Sequence, residues 1–207
     1  MKVKTKIYKS EDLDLAIDLI EKFKKKNNID FRLTINIDHD DENSGYYHGS
    51  SQLYVNPKNC DNDISLGHPN DHSIPSVIIH EFCHFVDDKY KIYDAYKKYI
   101  RKNKHLYITP YSETNIVEEV AENICTFLLN PFLYKYIDEK RYLWFTTYFK
   151  SPIHCTEKQF IRTYKKWTPE LKKSCWTDYG VKTDGKTITY KKRNDMGKFK
   201  ILRKKRK

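Results

Sequence analysis

The chain has 207 residues and a formal net charge of +11, with 39% hydrophobic, 14% aromatic and 32% charged residues. This length fits one domain or a domain with an appendage, and the aromatic content can build a core in spite of the polar composition. The few glycines and prolines argue against a collagen-like or low-complexity chain, and no apolar run approaches the roughly 18 residues of a transmembrane helix.

The N-terminal part of the sequence predicts strands around one helix. Residues 1–8 alternate like a strand, and Ser10 can cap a helix whose apolar residues, from Leu13 to Phe23, recur at helical spacing. Period-two alternation then predicts three further strands, over residues 31–37, 46–47 and 52–55.

The middle of the sequence predicts three helices. Pro75 lies near the first turn of a helix that covers about Val77–Tyr90 and is strongly apolar on one side. A second helix is expected over residues 93–102. Asn115 can cap a third helix, which runs to Leu129 before an Asn-Pro stop.

The C-terminal part combines helical segments with a basic tail. Residues 132–180 hold aromatic, amphipathic stretches, and residues 187–190 are a candidate short strand. Residues 186–207 contain 11 Lys or Arg and one acid, whereas residues 1–185 contain 28 bases and 27 acids. The basic tail, taken as residues 181–207, suits a nuclear-import signal, nucleic acid or an anionic surface, and it is also typical of a solvated chain end.

The cysteines and the N-terminal residues predict the cellular compartment of the protein. The five cysteines include no CxxC pair, and no apolar segment of a secretory signal follows the N-terminal lysines. We therefore expect reduced thiols and a cytoplasmic location, in the protein's own cell or a host cell, with a nucleus or a virion as alternatives. Cys83 and Cys125 lie within apolar helical patterns and are expected in the core.

The sequence HEFCH at residues 80–84 carries the strongest chemical signal. Because it lies inside an apolar helical pattern, His80 and His84 fall one turn apart on the same face of the helix. Two neutral imidazoles in this arrangement can bind one Zn²⁺, and Glu81 beside that face can accept a proton from a metal-bound water. The plainer alternative is a helix with two solvent-facing histidines.

A catalytic zinc ion takes three protein ligands and keeps one position open for water. The extended HExxHxxGxxH pattern is absent, since Asp87 and Tyr90 stand where it needs Gly and His. Glu118 and Glu122 share a helix face beside an apolar side, so zinc for Glu118 and an imidazole N–H for Glu122 would satisfy both carboxylates. His105 is the alternative third ligand, and an exposed acidic helix face is the alternative without a metal.

Two stretches of the chain resemble the metallopeptidases of the anthrax lethal factor type, which are gluzincin-like zincins. Residues 80–88, HEFCHFVDD, are similar to the zinc-site helix of that family. Residues 111–122, YSETNIVEEVAE, are similar to its second block, in which Tyr, Thr-Asn and Glu-x-x-Ala-Glu follow at this spacing. The chain departs from the family at Cys83 and Phe85, which replace a Gly and a small residue and add bulk around the helix.

The resemblance implies an α+β, zincin-like metalloprotease domain over residues 1–180, with a small mixed sheet, the HExxH helix and a second zinc-ligand helix. It implies one Zn²⁺ per chain, with the ligands His80, His84 and Glu118. It also implies that Glu81 is the general base, that Tyr111 stabilises the oxyanion, and that Glu122 supports a zinc ligand through a hydrogen bond.

The resulting prediction is a zinc-dependent endopeptidase that hydrolyses peptide bonds of a protein or peptide substrate with a zinc-activated water. Residues 53–55 are a candidate edge strand for pairing with an extended substrate, or an ordinary sheet strand. One alternative function is a metalloprotease directed to nucleic acid by the basic tail, and another is a non-catalytic binding module of the same fold. The other histidines lie in polar stretches and are expected at the surface: His39, His48, His68, His72 and His154.

Overall fold

The computed structural model describes the residues that form most helices, strands and connecting turns of the chain. These residues are 2–4, 11–60, 72–103, 107–109, 111–131, 134–135, 138–151, 181–183, 188–193 and 199–202. For residues 2–4 and the last three ranges the description covers the backbone. The expectations for Ser10, for the surface histidines His68 and His154, for His105 and for most of residues 132–180 lie outside these ranges.

Helices and strands are mixed along the chain, which confirms the α+β class. The helices are α1, Glu11–Asn27; α2, Ile74–Tyr90; α3, Ile92–Lys102; α4, Ile116–Leu129; and α5, Glu139–Phe145. The strands are β1, Lys2–Lys4; β2, Thr34–Ile37; β3, Gly45–Tyr47; β4, Gln52–Val55; β5, Val181–Thr183; β6, Ile188–Arg193; and β7, Phe199–Leu202. Two short 3-10 turns cover Pro57–Asn59 and Tyr111–Glu113.

Four strands form a mixed sheet in the order β1-β2-β4-β3. β1 is parallel to β2, and β2 is parallel to β4 in a register that places Ile35 opposite Leu53. β3 is antiparallel to β4, with Tyr46 opposite Tyr54. The turn between them uses positive φ at three successive residues, 49–51, which allows the chain to reverse within a few residues.

Of the two alternatives for residues 53–55, the edge strand is wrong and the ordinary sheet strand is confirmed, because β4 lies between β2 and β3. Parallel pairing with β2 occupies one side of β4, and the tight turn after β3 brings β3 to the other side. The two edges of the sheet are β1 and β3, and β3 is the edge that packs against α2.

α2 is largely buried because it packs against the sheet, α1 and α4. Its apolar residues Ile78, Ile79, Phe82 and Cys83 are at most 2% exposed. Phe82 lies edge-on to Phe23 of α1, with the ring centroids 5.5 Å apart. Burying one large apolar side chain contributes about 1.5–3 kcal/mol, so the HEFCH segment belongs to a helix anchored on several sides.

The prediction that Cys83 and Cys125 lie in the core is confirmed for Cys83 and in part for Cys125. Cys83 is fully buried, whereas Cys125 is half-buried. Both are free thiols, as is Cys60. The bulk that Cys83 adds relative to a glycine is therefore accommodated in the packed interior beside α4.

A buried polar network helps to set the rotation of α4 about its own axis. Arg141 on α5 donates to the Tyr96 hydroxyl at 2.8 Å, and that hydroxyl donates to Glu119 Oε1 at 2.7 Å. Buried polar groups are costly unless they are paired, so these bonds hold Glu119 toward α3 and α5. Since successive helix residues differ by about 100° around the axis, Glu118 is turned away from Glu119 and lies next to His80 of α2.

The N-terminus of α4 confirms the predicted cap. The Asn115 Oδ1 atom accepts hydrogen bonds from the backbone N–H groups of Val117 and Glu118, at 2.9 Å and 3.0 Å. An Asn cap of this kind satisfies donors that the first helical turn leaves open. The cap therefore fixes where α4 begins, just before its first carboxylate.

The basic tail contains more regular structure than expected. The short strand expected over residues 187–190 is found as β6, which pairs antiparallel with β5 and with β7. These three strands form a second sheet in the order β5-β6-β7. Within the described part of the chain, no helix combines the length and apolar character needed to cross a membrane.

Candidate metal centre

Two helices bring the predicted metal ligands together. α2 carries His80 and His84 one turn apart, and α4 carries Glu118 on the face that meets α2. The His80 Nε2 atom lies 3.0 Å from Glu118 Oε2 and 3.1 Å from His84 Nε2. The His84 Nε2 atom lies 3.2 Å from the same carboxylate oxygen. The three atoms therefore form a nearly equilateral triangle.

These spacings fit a single small cation. A tetrahedral zinc ion with bonds of about 2.0–2.2 Å separates its ligand atoms by roughly 3.3–3.6 Å, a few tenths of an ångström more than the distances found here. The group of His80, His84 and Glu118 could accordingly hold a metal ion. Two imidazole nitrogens and one carboxylate are a ligand set of catalytic zinc sites, which keep a fourth position open.

The hydrogen bond from His80 to Glu122 strengthens this fit. The His80 Nδ1 atom lies 2.6 Å from Glu122 Oε1, and a carboxylate accepts rather than donates, so Nδ1 carries the proton. In the neutral ring, Nε2 then has a lone pair that points at Glu118 and His84. Lone pairs and a carboxylate that converge in this way need a proton or a cation between them.

His80 and Glu118 stabilise each other's charged forms. Burial alone would lower the pKa of His80, but its hydrogen bonds to Glu118 and Glu122 raise that pKa well above its usual range. Burial would raise the pKa of Glu118, but the His80 and His84 imidazoles lower it to about 2. Glu118 is therefore ionised near neutral pH, the form in which a carboxylate binds a cation.

Glu81 lies beside the predicted ligands and next to the sheet. Its side chain is 7% exposed, and it lines the same cleft as Gly45 and Tyr47 of β3. Burial raises the pKa of Glu81 above the usual range, although His80 and His84 act in the opposite direction. A carboxylate with a raised pKa is a better proton acceptor than an ordinary surface glutamate.

Tyr111 stands at the opening of the site. Its side chain is 54% exposed, and its ring centroid lies 5.6 Å from that of His80. Partial burial and the nearby Glu118 carboxylate raise the pKa of the Tyr111 phenol. The hydroxyl therefore keeps its proton near neutral pH and can donate a hydrogen bond to a group bound in the site.

The candidate metal centre opens into a cleft of about 660 Å³, a volume within the usual range for ligand sites. The strand β3 contributes its residues Gly45–Tyr47 to the lining, and α4 contributes Val117, which is 43% exposed. Asp88 and Tyr93 also line the cleft. A backbone edge and partly exposed apolar groups thus surround the charged centre.

The structure gathers the six residues that the sequence singled out around one centre: His80, Glu81, His84, Tyr111, Glu118 and Glu122. The surface prediction is confirmed for the exposed histidines His39, His48 and His72. Sequence reasoning missed Gly45 and the Tyr47 backbone as parts of the site. The sequence does predict a short strand at these residues, upstream of the HExxH helix. It does not show which of the predicted strands lies against that helix.

Comparisons of the chain with protein-family models, with curated proteins and with solved structures found no match. The function is therefore inferred from the geometry of the candidate metal centre.

Proposed function

We propose that the protein is a zinc-dependent endopeptidase with a zincin-like catalytic domain. The observation that carries this proposal is the triangle formed by His80 Nε2, His84 Nε2 and Glu118 Oε2, with edges of 3.0–3.2 Å. Its support is the neighbourhood of that triangle, because a buried glutamate and a phenol flank it. A site that only stored metal would have no chemical need for either group.

The proposed chemistry assigns one role to each flanking residue. Zinc, when bound, supplies a Lewis acid that acidifies a water molecule and polarises a carbonyl oxygen. The Glu81 carboxylate accepts a proton from the attacking water and then returns it to the nitrogen of the departing amine. The Tyr111 hydroxyl donates a hydrogen bond to the carbonyl oxygen as negative charge develops there.

The edge strand β3 supports a peptide as the substrate. Hydrogen bonds join His48 N–H to Gln52 O at 3.0 Å and Asn56 N–H to Ser44 O at 2.8 Å, on either side of the β3–β4 pair. Because such bonds alternate along antiparallel strands, the backbone groups of Gly45 and Tyr47 point away from β4. An extended peptide in the cleft can therefore pair with β3 as an added strand.

Metal removal tests the proposal. We expect the purified, zinc-loaded protein to cleave unstructured peptides or a denatured protein, and to lose that activity on dialysis against a zinc chelator. One equivalent of zinc per chain should restore it, because three protein side chains bind a single ion. The measurement is peptide cleavage by mass spectrometry alongside zinc content by elemental analysis.

Two outcomes of that experiment would contradict the proposal. Cleavage that survives complete zinc removal would place the activity elsewhere, and a protein with stoichiometric zinc that cleaves no member of a diverse peptide library would favour a non-catalytic module of this fold. Loading with Mg²⁺ is a suitable control, because Mg²⁺ prefers six oxygen ligands and should not restore cleavage.

As a second candidate function, we infer that the basic tail directs the enzyme to nucleic acid. The supporting observation is the pairing of β6 with β7, in which Lys192 is the backbone partner of Lys200. Basic residues concentrated on paired strands favour a polyanionic partner. The strands β5–β7 carry no acidic residue and have five basic residues: Lys182, Lys191, Lys192, Arg193 and Lys200.

Charge removal in the full-length chain tests this second candidate. The triple substitution Lys191→Gln, Lys192→Gln and Lys200→Gln should weaken binding to a single-stranded oligonucleotide at least tenfold at low salt. It should also reduce the slope of log affinity against log salt by about 2, because each neutralised phosphate of a single strand contributes about 0.7 to that slope. Peptide cleavage should be unchanged.

The matched control substitutes three lysines of α1, Lys22, Lys25 and Lys26, by glutamine, with the same change in charge on an exposed helix surface. If both triple variants lose affinity equally, binding follows net charge and not the tail. If only vesicles containing anionic lipid distinguish the variants, the partner is a membrane surface and the nucleic-acid candidate fails.

A further inference from the structure

Two buried hydroxyl side chains form reciprocal hydrogen bonds beside Tyr111. The Ser112 hydroxyl donates to the Thr109 carbonyl oxygen at 2.6 Å and accepts from the Thr109 backbone N–H at 3.2 Å. In return, the Thr109 hydroxyl oxygen accepts from the Ser112 backbone N–H at 3.1 Å. These three bonds, called here the Thr109–Ser112 clasp, join the chain just before Tyr111 to the chain just after it.

The clasp has the form of a capping box, the reciprocal set of side-chain bonds that begins many helices. It lies at the start of the 3-10 turn Tyr111–Glu113, which leads toward α4. Thr109 and Ser112 are 3% and 0% exposed, so water does not compete for these donors and acceptors. Because a buried backbone group without a partner is costly, the clasp favours one conformation of this turn.

The turn is anchored to the rest of the protein at both ends. Ile108, which precedes the clasp, is 1% exposed and belongs to the hydrophobic core. After the clasp, the Thr114 backbone N–H donates to the Tyr111 carbonyl oxygen at 3.0 Å, and Asn115 then caps α4. The turn also packs against α4, the helix that carries Glu118. The Tyr111 backbone is thus held in place relative to a predicted zinc ligand.

The Tyr111 side chain, by contrast, is not enclosed by packing. It is about half exposed and lines the cleft, with its ring near that of His80. The direction of an exposed side chain follows mainly from its backbone, because the allowed rotamers depend on φ and ψ. The clasp, which fixes that backbone, therefore determines how the phenol enters the cleft.

We propose that Thr109 and Ser112 are positioning residues for catalysis, because their reciprocal hydrogen bonds fix the turn from which Tyr111 reaches the cleft. This inference rests on the proposed peptidase function, in which the Tyr111 hydroxyl stabilises the developing oxyanion. A donor that is already in place costs no reorganisation at the moment of reaction. Both positioning residues are buried, so they act through Tyr111 and not on the substrate.

The substitutions Thr109→Val and Thr109→Ser together test the inference. Valine is close to threonine in shape but has no hydroxyl, so it removes the acceptor of the Ser112 N–H, whereas serine keeps that acceptor. A misplacement of about 1 Å can cost on the order of a hundredfold in rate, so for a smaller shift we expect kcat to fall about tenfold in Thr109→Val. In Thr109→Ser kcat should stay close to that of the wild type. KM and zinc affinity should be unchanged in both variants.

A double-mutant cycle with Tyr111→Phe separates positioning from general destabilisation. Tyr111→Phe removes the phenol hydroxyl and should lower kcat on the order of a hundredfold, the usual cost of losing one oxyanion donor. Adding Thr109→Val to this variant should cause no further loss, because the hydroxyl that the substitution misplaces is already gone. A clasp that only stabilises the fold would give the same loss of kcat in both backgrounds.

The NMR signals of the His80 ring protons give a readout that needs no substrate. The Tyr111 ring centroid lies 5.6 Å from that of His80, with the two rings inclined at 62°, so the ring current of Tyr111 shifts these signals. Tyr111→Leu, which removes the aromatic ring, should displace them fully. Thr109→Val should displace them part of the way, and Thr109→Ser should leave them in place.

Ser151→Ala is the matched control for a second clasp variant, Ser112→Ala. Both hydroxyls are buried and donate to a backbone carbonyl oxygen, but Ser151 donates to Leu128, at the other end of α4 from Glu118. Ser112→Ala should lower kcat and displace the His80 signals as Thr109→Val does. Ser151→Ala should lower the thermal midpoint and leave both kcat and those signals unchanged.

The outcomes separate this inference from the peptidase proposal. If the wild type cleaves peptides and Thr109→Val keeps its full kcat, or loses as much in the Tyr111→Phe background, the clasp has no positioning role. If the wild type cleaves nothing, the peptidase proposal fails and takes the catalytic role with it. The His80 signals then still decide whether the clasp positions Tyr111, because unchanged signals in Thr109→Val and in Ser112→Ala would show that it does not.

Discussion

Replacing Glu81 by Gln should abolish most peptide cleavage while leaving the zinc content unchanged. General acid–base catalysis by one positioned side chain is worth about 10²- to 10⁴-fold, and Glu81 is proposed both to accept and to return the proton. We therefore expect kcat/KM to fall by at least about a hundredfold, which is about 2.7 kcal/mol in the activation free energy.

Glutamine is the informative substitution because it preserves the local structure. Its side chain has almost the same size and shape and its Oε1 atom still accepts hydrogen bonds, so the variant removes the proton acceptor without opening space beside α2. A smaller side chain at this nearly buried position would leave a cavity beside α2 and mix a folding defect with a catalytic one.

The measurement is kcat/KM on one peptide substrate together with zinc content and the thermal midpoint of the same preparation. Glu42→Gln is the matched control, because Glu42 is an exposed glutamate in the loop before β3 and loses the same charge. Unchanged cleavage in Glu81→Gln would contradict the proposed mechanism. An equal loss of cleavage in Glu42→Gln would indicate a general electrostatic effect of the lost charge.

The helical part of the site could be predicted from the sequence, because it depends on residues that are close to one another along the chain. His80 and His84 share a face at any helical i, i+4 spacing, and Glu118 and Glu122 do the same on α4. Apolar patterns predict both helices, with Pro75 near the start of α2 and the Asn115 cap at the start of α4, and the structure gives them the expected faces. The meeting of the two helices needs only that their apolar sides pack together.

The sheet side of the site could not be predicted, because it depends on the pairing of strands that are far apart along the chain. Strand order depends on which side of β4 is already occupied by β2, and no residue of the 53–55 segment reports that pairing. The close approach of Gly45 to Val77 depends on the same order. A single glycine before two tyrosines is common in turns, so nothing in its immediate neighbours distinguishes it.

The buried hydrogen-bond network that holds α4 could not be predicted from the sequence either. Arg141 is completely buried, yet arginine is ordinarily a surface residue, and its partners Tyr96 and Glu119 lie 45 and 22 positions earlier in the chain. Only the packing of α3, α4 and α5 brings them together. This network explains why Glu119 and Glu118, adjacent in sequence, have different roles.

Replacing Glu118 by Gln should remove most of the zinc affinity. Structural zinc sites with four ligands gain roughly 10–16 kcal/mol at neutral pH, so one ligand contributes about 2.5–4 kcal/mol. We therefore expect the zinc dissociation constant to rise by about 100- to 1,000-fold, measured by competition with a chromophoric chelator. Cleavage at limiting zinc should be lost in parallel and should return in part at high zinc concentration.

Two comparison variants make this prediction specific. Glu122→Gln should raise the dissociation constant by only about 10- to 100-fold, because Glu122 orients His80 and does not belong to the ligand triangle. Glu113→Gln, at an exposed position just before α4, should have no effect. If Glu118→Gln binds zinc as tightly as the wild type while His105→Ala does not, the third ligand is His105. The contacts of Glu118 with His80 and His84 would then be hydrogen bonds only, and Glu118 would not belong to the ligand set.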